Sequence, residues 1–245
     1  MASLEVLGVR IDNVTMEQVF ERIKEAVREK RKLVITPVNI RVLEKAQENG
    51  ELKEMLNQSD INTPDSKQLC YLAKLRKFEF AERVTGADIF ARFPKFAARH
   101  GIKMGIFGGF GVAEKAGVRI QRETGAEVVF TCSPSPEEAV NTPEKIIERI
   151  NTAKPDVLFV ALGCPKQELW IKKYSRKVAP YVFVSIGAGL DFYAGRQKRA
   201  PLWMQRIGLE WMGRLFTNPK KMAFRYLAEL KFYSEFLIET LQQKS

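Results

Sequence analysis

Asp156-Val-Leu-Phe-Val-Ala-Leu-Gly-Cys-Pro-Lys-Gln-Glu-Leu-Trp-Ile171 is the stretch from which the architecture of this chain is read. Five apolar residues in succession, Val157 to Ala161, are too few for an isolated helix and read as a strand buried on both faces, as in a parallel sheet. The pattern then changes. Gly163 allows a sharp turn, Pro165 suits a first helical turn, and Glu168, Leu169, Trp170 and Ile171 begin a helical stripe. Lys166 and Gln167 are therefore placed at the carboxyl end of a strand and on a helix N-terminus, where open α/β sheets bind ligands and unpaired N–H groups attract anions. An ordinary strand-to-helix turn would read the same way.

Working outward, the second half alternates strand and helix at regular intervals. Ile102 to Phe107, Val128 to Thr131 and Tyr181 to Ser185 read as further strands, with helices over Val112 to Arg122 and Pro143 to Thr152 and a loop at Ser133-Pro-Ser-Pro136. In the first half, residues 3–12 form a short strand or hairpin, and Thr15 with Gln18 is a capping box opening a helix. Leu33 to Ile35 is the next strand and Thr36-Pro-Val-Asn39 the loop after it. Helical pieces follow at 41–49 and 51–57, then a brief strand, Ile61-Asn-Thr, ending at Pro64-Asp65. Helices are expected again at 69–75 and 87–99. This interval predicts an α/β fold: a Rossmann-like, mostly parallel sheet flanked by helices, over residues 1–195.

After Gly195 the composition shifts. The chain carries +11 overall, and residues 196–245 supply +6 of it, from ten Lys and Arg against four Glu. Met222, Tyr226, Leu230, Tyr233, Leu237 and Leu241 recur at helical spacing with Lys220, Lys221, Arg225 and Lys231 among them. This C-terminal helical appendage, 196–245, either packs on its own domain behind a solvated basic face or lies on anionic lipid. So large a charge implies an anionic partner.

The same composition excludes several chemistries. His100 is the only histidine and ends a helical stretch before Gly101, so a Ser-His-Asp triad, a Cys-His pair and a multi-histidine metal site have nothing to rest on. Cys70, Cys132 and Cys164 are widely spaced, which argues against a disulfide framework or thiolate zinc site and suits a reducing cytoplasm. No signal-peptide pattern opens the chain, and no apolar run approaches the roughly 20 residues of a membrane span.

Four further features could carry chemistry. The turn with Gly108, Gly109 and Gly111 follows a strand and opens a helix, so it either cradles a phosphate or serves close packing. With Gly163 and Asp191 it makes the candidate nucleotide- or phosphate-binding set; Asp191, after Gly187-Ala-Gly189, is also a plausible turn former. Asp65 is either a helix N-cap or a general base. Arg83, with Asp88 close in sequence, is either a salt-bridged loop residue or a phosphate clamp. The glycine turn lacks the spacing of a dinucleotide fingerprint, which disfavours an oxidoreductase, and no base-reading motif recommends a nucleic-acid binder.

Leu162-Gly163-x-Pro165-Lys166-Gln167-Glu168-x-Trp170-Ile171, Glu82-Arg83-Val84-x-Gly86-x-Asp88, Gly187-x-x-x-Asp191-x-x-x-Gly195, Arg199-Ala200-Pro201 and Gly208-Leu209-Glu210-Trp211-x-x-Arg214-Leu215 together resemble the WecG/TagA/CpsF glycosyltransferases, from about residue 3 to 227. The resemblance implies inverting, metal-independent transfer of a sugar, often N-acetylmannosamine from a UDP donor, onto a polyprenyl-diphosphate-linked N-acetylglucosamine. The setting it implies is the inner membrane face. It assigns Asp65 as the base that deprotonates the acceptor hydroxyl. Thr36, Asn39, Gln167 and Lys166 become substrate contacts, and Arg83 holds phosphate. The appendage, with Arg214, Lys220, Lys221 and Arg225, becomes a membrane-docking element that closes over the site. No cofactor, no metal and no nucleic acid is expected; a different UDP-sugar donor and a homo-oligomer stay open. Two departures from the family pattern stand out: Thr36-Pro-Val-Asn39 is one residue longer than the usual Thr-x-Asn, and Ser66 replaces the usual glycine after Asp65.

Overall fold

Strands with no polar face have to be covered on both sides, and the chain meets that requirement with helices. The computed structural model describes residues 2–206 and 219–242, with the backbone alone at 202, 206 and 219–229. Strands β1 (Ser3–Val6) and β2 (Val9–Asp12) form an antiparallel hairpin. Six more follow: β3 (Leu33–Val38), β4 (Ile61–Pro64), β5 (Met104–Gly108), β6 (Val128–Cys132), β7 (Val157–Ala161) and β8 (Val182–Ser185). They pair in the order β4-β3-β8-β7-β5-β6, every pairing parallel. The helices between and after them are α1 (Met16–Arg28), α2 (Ile40–Glu48), α3 (Gly50–Gln58), α4 (Lys67–Leu75), α5 (Gly86–His100) and α6 (Ala113–Thr124). Then come α7 (Pro136–Val140), α8 (Glu144–Ala153), α9 (Lys166–Tyr174), α10 (Gly189–Tyr193), α11 (Leu202–Arg206) and α12 (Pro219–Gln242).

Two cores lie on opposite faces of the sheet, and β7 feeds both. Leu158 and Val160 join one core with Trp170 and Ile171 of α9, while Val157, Phe159 and Ala161 join the other with Phe90 and Phe93 of α5. The Phe159 ring meets Phe90 and Phe93 edge-on at 5.1 and 5.4 Å. Burying such a ring stabilises the fold by about 1.5–3 kcal/mol.

The structure departs from the expected boundaries in two places, after β3 and at residues 136–140, and it shows which residues of the last helix face the core. Thr36, Pro37 and Val38 belong to β3 rather than to a loop. Pro37 is tolerated because β8 pairs only with Leu33 to Ile35; beyond that, β3 is paired on one side, and the missing N–H breaks no second ladder. Residues 136–140 form a short helix, opened by a Ser135–Glu138 capping box with Pro136 in the first turn. In α12, Phe232, Phe236 and Thr240 face the core, whereas Leu230, Leu237 and Leu241 of the expected stripe are exposed together with Ile238. Arg76 holds this end of α12: its Nε donates to Thr240 Oγ1 at 2.9 Å, it pairs with Glu239, and its guanidinium lies 4.3 Å from the Phe236 ring. Arg214 and the Gly208-to-Leu215 motif lie outside the described residues, as do the side chains of Lys220, Lys221 and Arg225. No described helix is long and apolar enough to cross a membrane.

Candidate active site

A ligand crevice opens where neighbouring parallel strands send their chains to opposite faces of the sheet. Here β3 leads into α2 on one face and β8 into α10 on the other, since Val42 and Leu43 lie in one core and Leu190 in its counterpart. The cavity at this point is about 350 Å³. Its walls come from the turns after β3, β4, β7 and β8, represented by Asn39, Asp65, Gly163 and Gly187, and from Thr85, Gln167, Ser185 and Arg199. Four helices of nine or more residues, α2, α4, α5 and α9, contribute first-turn or capping residues to the lining. Their N–H ends and partial positive charges converge on one volume, an arrangement suited to an anionic ligand.

Asp65 and Asn39 form the acidic side of the cavity. Asn39 caps α2, its Oδ1 accepting from Val42 N at 3.2 Å, and its Nδ2 donates to Asp65 Oδ2 at 3.0 Å. The amide is thereby oriented at both ends. Capping of α4 falls to Ser66, whose Oγ accepts from Leu69 N at 3.2 Å. The serine that replaces glycine beside Asp65 thus does the capping, and the Asp65 carboxylate faces the cavity with Asn39 as a partner.

The basic side is built on Asp88. Arg199 forks onto it, Nη1 to Oδ1 at 2.6 Å and Nη2 to Oδ2 at 3.4 Å; Thr85 Oγ1 donates at 2.8 Å, and Arg83 Nη2 lies 3.9 Å away. Burial alone would raise the Asp88 carboxyl, but the hydrogen bond and charge of Arg199, with Thr85 and Arg83, outweigh it and hold the group below the ordinary carboxylate range. Two guanidinium groups thus share the Asp88 carboxylate beside the cavity. Arg41, in the first turn of α2, adds another cation to the lining and pairs with Glu44 at 2.6 Å.

Gln167 stitches two turns together. Its Oε1 accepts from Gly187 N at 3.0 Å and from Gly163 N at 3.3 Å, and its Nε2 donates to Glu168 at 2.7 Å. Of the residues singled out from sequence, the cavity lining brings together Asn39, Asp65, Gly163 and Gln167. Arg83 stands behind it through Asp88, and Lys166 is exposed at the start of α9.

The remaining candidates are not among the described lining residues, and Thr36, Gly108, Gly109 and Asp191 each meet another partner. Thr36 is fully buried, its hydroxyl 3.0 Å from Ser59 Oγ. Gly108 and Gly109 are places of close packing: a Cβ on Gly108 would sit 2.4 Å from Ala161 O, and one on Gly109 2.4 Å from Leu190 Cδ2. The carbonyl of Gly109 accepts from Arg196 Nη1 at 3.0 Å, and Arg196 pairs with Asp191 at 2.7 Å. The turn containing Gly111 and the acid Asp191 are therefore joined through Arg196. Burial raises the Asp191 carboxyl, with Arg196 opposing it.

Sequence reasoning did not single out Arg41, Thr85, Ser185 or Arg199 as site residues. Arg199 stood inside a motif, but its partner is 111 positions away, and only the fold brings the two together. Among the described residues no three His, Cys, Asp or Glu gather as a metal-binding group.

A family model described as Glycosyl transferase WecG/TagA/CpsF family matches residues 4–245. N-acetylglucosaminyldiphosphoundecaprenol N-acetyl-beta-D-mannosaminyltransferases of Staphylococcus aureus, strains NCTC 8325 / PS 47 and COL, are each 26% identical over 223 residues, covering 90% of this chain and 87% of theirs. With a parallel sheet, a polar crevice at its carboxyl edge and a family match over almost its whole length, this chain belongs to the WecG/TagA/CpsF family of glycosyltransferases.

Proposed function

We propose that the enzyme transfers N-acetylmannosamine from a UDP-linked donor to an N-acetylglucosamine carried on a polyprenyl diphosphate, with inversion at the anomeric carbon and without a metal ion. The acceptor and the sugar follow the names of the staphylococcal relatives. The observation that carries the chemistry is the Asn39-oriented Asp65 carboxylate facing a cavity whose other walls are helix N-termini and Arg199.

In this reading the Asp65 carboxylate removes the proton from the acceptor hydroxyl. The freed oxygen attacks the anomeric carbon from the side opposite the diphosphate. The bond from that carbon to the phosphate oxygen breaks, and its electron pair leaves with UDP. Negative charge grows on the leaving diphosphate, and preorganised positive charge stabilises it. Arg199 and Arg83, sharing Asp88, supply that charge together with the N–H ends of the helices. Asn39 and Gln167 position the reactants, with Lys166 on the solvent side of the same helix end.

A polyprenyl-linked acceptor brings the enzyme to a membrane surface. We assign that contact to residues 196–245, working at the cytoplasmic face, on two grounds. This segment carries +6, and α12 exposes Leu230, Leu237, Ile238 and Leu241 on the side away from its buried phenylalanines. The test is a panel of UDP-sugars offered with a polyprenyl-diphosphate-N-acetylglucosamine analogue, with product scored by mass. UDP-N-acetylmannosamine should be the donor consumed. Turnover of another UDP-sugar in its place would reassign the donor, and turnover of none would overturn the reading.

A further inference from the structure

Glu168 is the most deeply buried acid among the described residues and the one whose charge nothing cancels. Asp12 and Glu44 are nearly as buried, at 5% exposure each, but each has an arginine, Arg10 at 3.1 Å and Arg41 at 2.6 Å. Glu168 is 0% exposed, and no ion pair to it is found among the described residues. An unpaired carboxylate in such a place is strongly disfavoured, and burial favours the neutral acid. Burial pushes its carboxyl up, with the hydrogen bond from Gln167 opposing less strongly.

A neutral carboxyl has one O–H to give and a carbonyl oxygen to accept with. Glu168 Oε1 accepts from Gln167 Nε2 at 2.7 Å. Its Oε2 and Ser185 Oγ are both buried without a hydrogen-bond partner of good geometry, and the Ser185 hydroxyl and the Cys164 thiol both act on the Glu168 carboxyl; Ser185 is itself one of the residues lining the cavity. On the other side of the amide, Gln167 Oε1 takes the N–H groups of Gly163 and Gly187. Reversing the amide would set NH2 against those two donors, so the orientation is dictated. One Nε2 hydrogen is committed to Glu168, and the second remains for the cavity that Gln167 lines.

We propose that Glu168 is a positioning residue of the transfer reaction, holding the Gln167 amide across the turns after β7 and β8 so that its second N–H is presented to bound substrate. Its own O–H turns toward Ser185 on the cavity wall. This rests on the transferase reading of the cavity. A side chain that only fills space would need no carboxyl, and an apolar residue of the same length would do.

The test measures kcat and KM with the donor and acceptor analogue for the full-length enzyme and for Glu168→Met, Glu168→Gln, Gln167→Ala and the Gln167→Ala/Glu168→Met double variant, each with its thermal midpoint. Methionine keeps the volume and removes both hydrogen bonds, so the question does not depend on the fold surviving a cavity. Glu168→Met should lower kcat/KM by about 10-fold or more, the rate equivalent of one well-placed hydrogen bond. Glu168→Gln, which can still accept from Gln167 and donate to Ser185, should recover most of that loss. The double variant should be no slower than Gln167→Ala, because both changes remove one function. Wild-type kinetics in folded Glu168→Met, a glutamine variant as slow as the methionine one, or additive losses in the double variant would each overturn the proposal. Absence of turnover in the wild-type arm would instead count against the transferase reading.

Discussion

Replacing Asn39 by serine separates two roles that one side chain now performs. Serine caps a helix about as well as asparagine, so α2 should keep its N-cap and the thermal midpoint should move little. What serine cannot do is reach Asp65 with an N–H, and the 3.0 Å bond to Oδ2 is lost. A hydrogen bond to a charged group is worth about 1.5–3 kcal/mol. If that energy serves to aim the base, the loss in kcat is about 10- to 150-fold. Asn39→Ala should lose the same rate and in addition about 1 kcal/mol of stability with the cap. Asn39→Asp also caps but sets a second carboxylate beside the base. At an effective dielectric constant of 20, two charges about 4 Å apart repel by about 4 kcal/mol. A like charge disfavours the ionised form, so the acidic limb of the kcat profile should shift to higher pH. The assay is initial rate of lipid-linked product against pH, alongside thermal unfolding. A serine variant with wild-type kcat, or a rate loss confined to the alanine variant that loses the cap, would refute the orienting role.

Arg199→Gln should raise the donor KM and lower stability by about 1.5–3 kcal/mol, as expected for charge-assisted bonds to Asp88. The native Asp88 carboxyl lies below its ordinary value of 3.8, so its contribution is present above that pH and is lost as pH falls through the lowered value. Wild type and variant should therefore converge in strong acid, and a pH-independent difference in their unfolding free energies would contradict this assignment. The sign reverses for Glu168, whose carboxyl is raised above its ordinary 4.5: ionisation favours the unfolded chain, so stability should decline as pH climbs above that value. Glu168→Gln should flatten this decline in denaturant titrations. Phe159→Ala removes a ring packed on Phe90 and Phe93 and should cost about 3–5 kcal/mol, read as a fall in denaturation midpoint. Leu237→Gln with Leu241→Gln alters only exposed positions of α12, so it should weaken sedimentation with acidic liposomes while leaving the thermal midpoint unchanged. Unchanged liposome binding would remove α12 from the membrane contact.

The sheet was legible because its strands carry their own signature. Val157 to Ala161, uninterrupted and apolar, needs cover on both faces, and the turn at Gly163 marks the place where a ligand crevice forms. Asp65 was legible as an acid in a loop, either a helix N-cap or a base; in the fold the neighbouring Ser66 takes the cap, and Asp65 lines the cavity. Other features depend on partners that local patterns do not reveal. Pro37 suggested a loop, and only the short pairing of β8 lets it sit in a strand. The glycines at 108 and 109 read equally as a phosphate cradle or as close packing, and the neighbours that make the packing close, Ala161 and Leu190, come from other elements. Helical spacing picked out Leu230, Leu237 and Leu241 as a stripe that would either pack on the domain or lie on lipid; these three are exposed, and Phe232 and Phe236, about one third of a turn away, are the residues that reach the core. Arg83 and Asp88 are neighbours in sequence, but Arg199, 111 positions from Asp88, joins them only in the fold.

Asp65 is proposed as the base for transfer in the cavity beside β3 and β8. The most direct test of that role is the turnover of Asp65→Asn with UDP-N-acetylmannosamine and the lipid-linked N-acetylglucosamine analogue, measured beside calorimetric titration with the donor. Asparagine preserves the shape and removes the proton acceptor. Turnover should fall by about 10²- to 10⁴-fold while donor affinity and the thermal midpoint hold. Turnover within a few-fold of the wild-type rate would contradict the account.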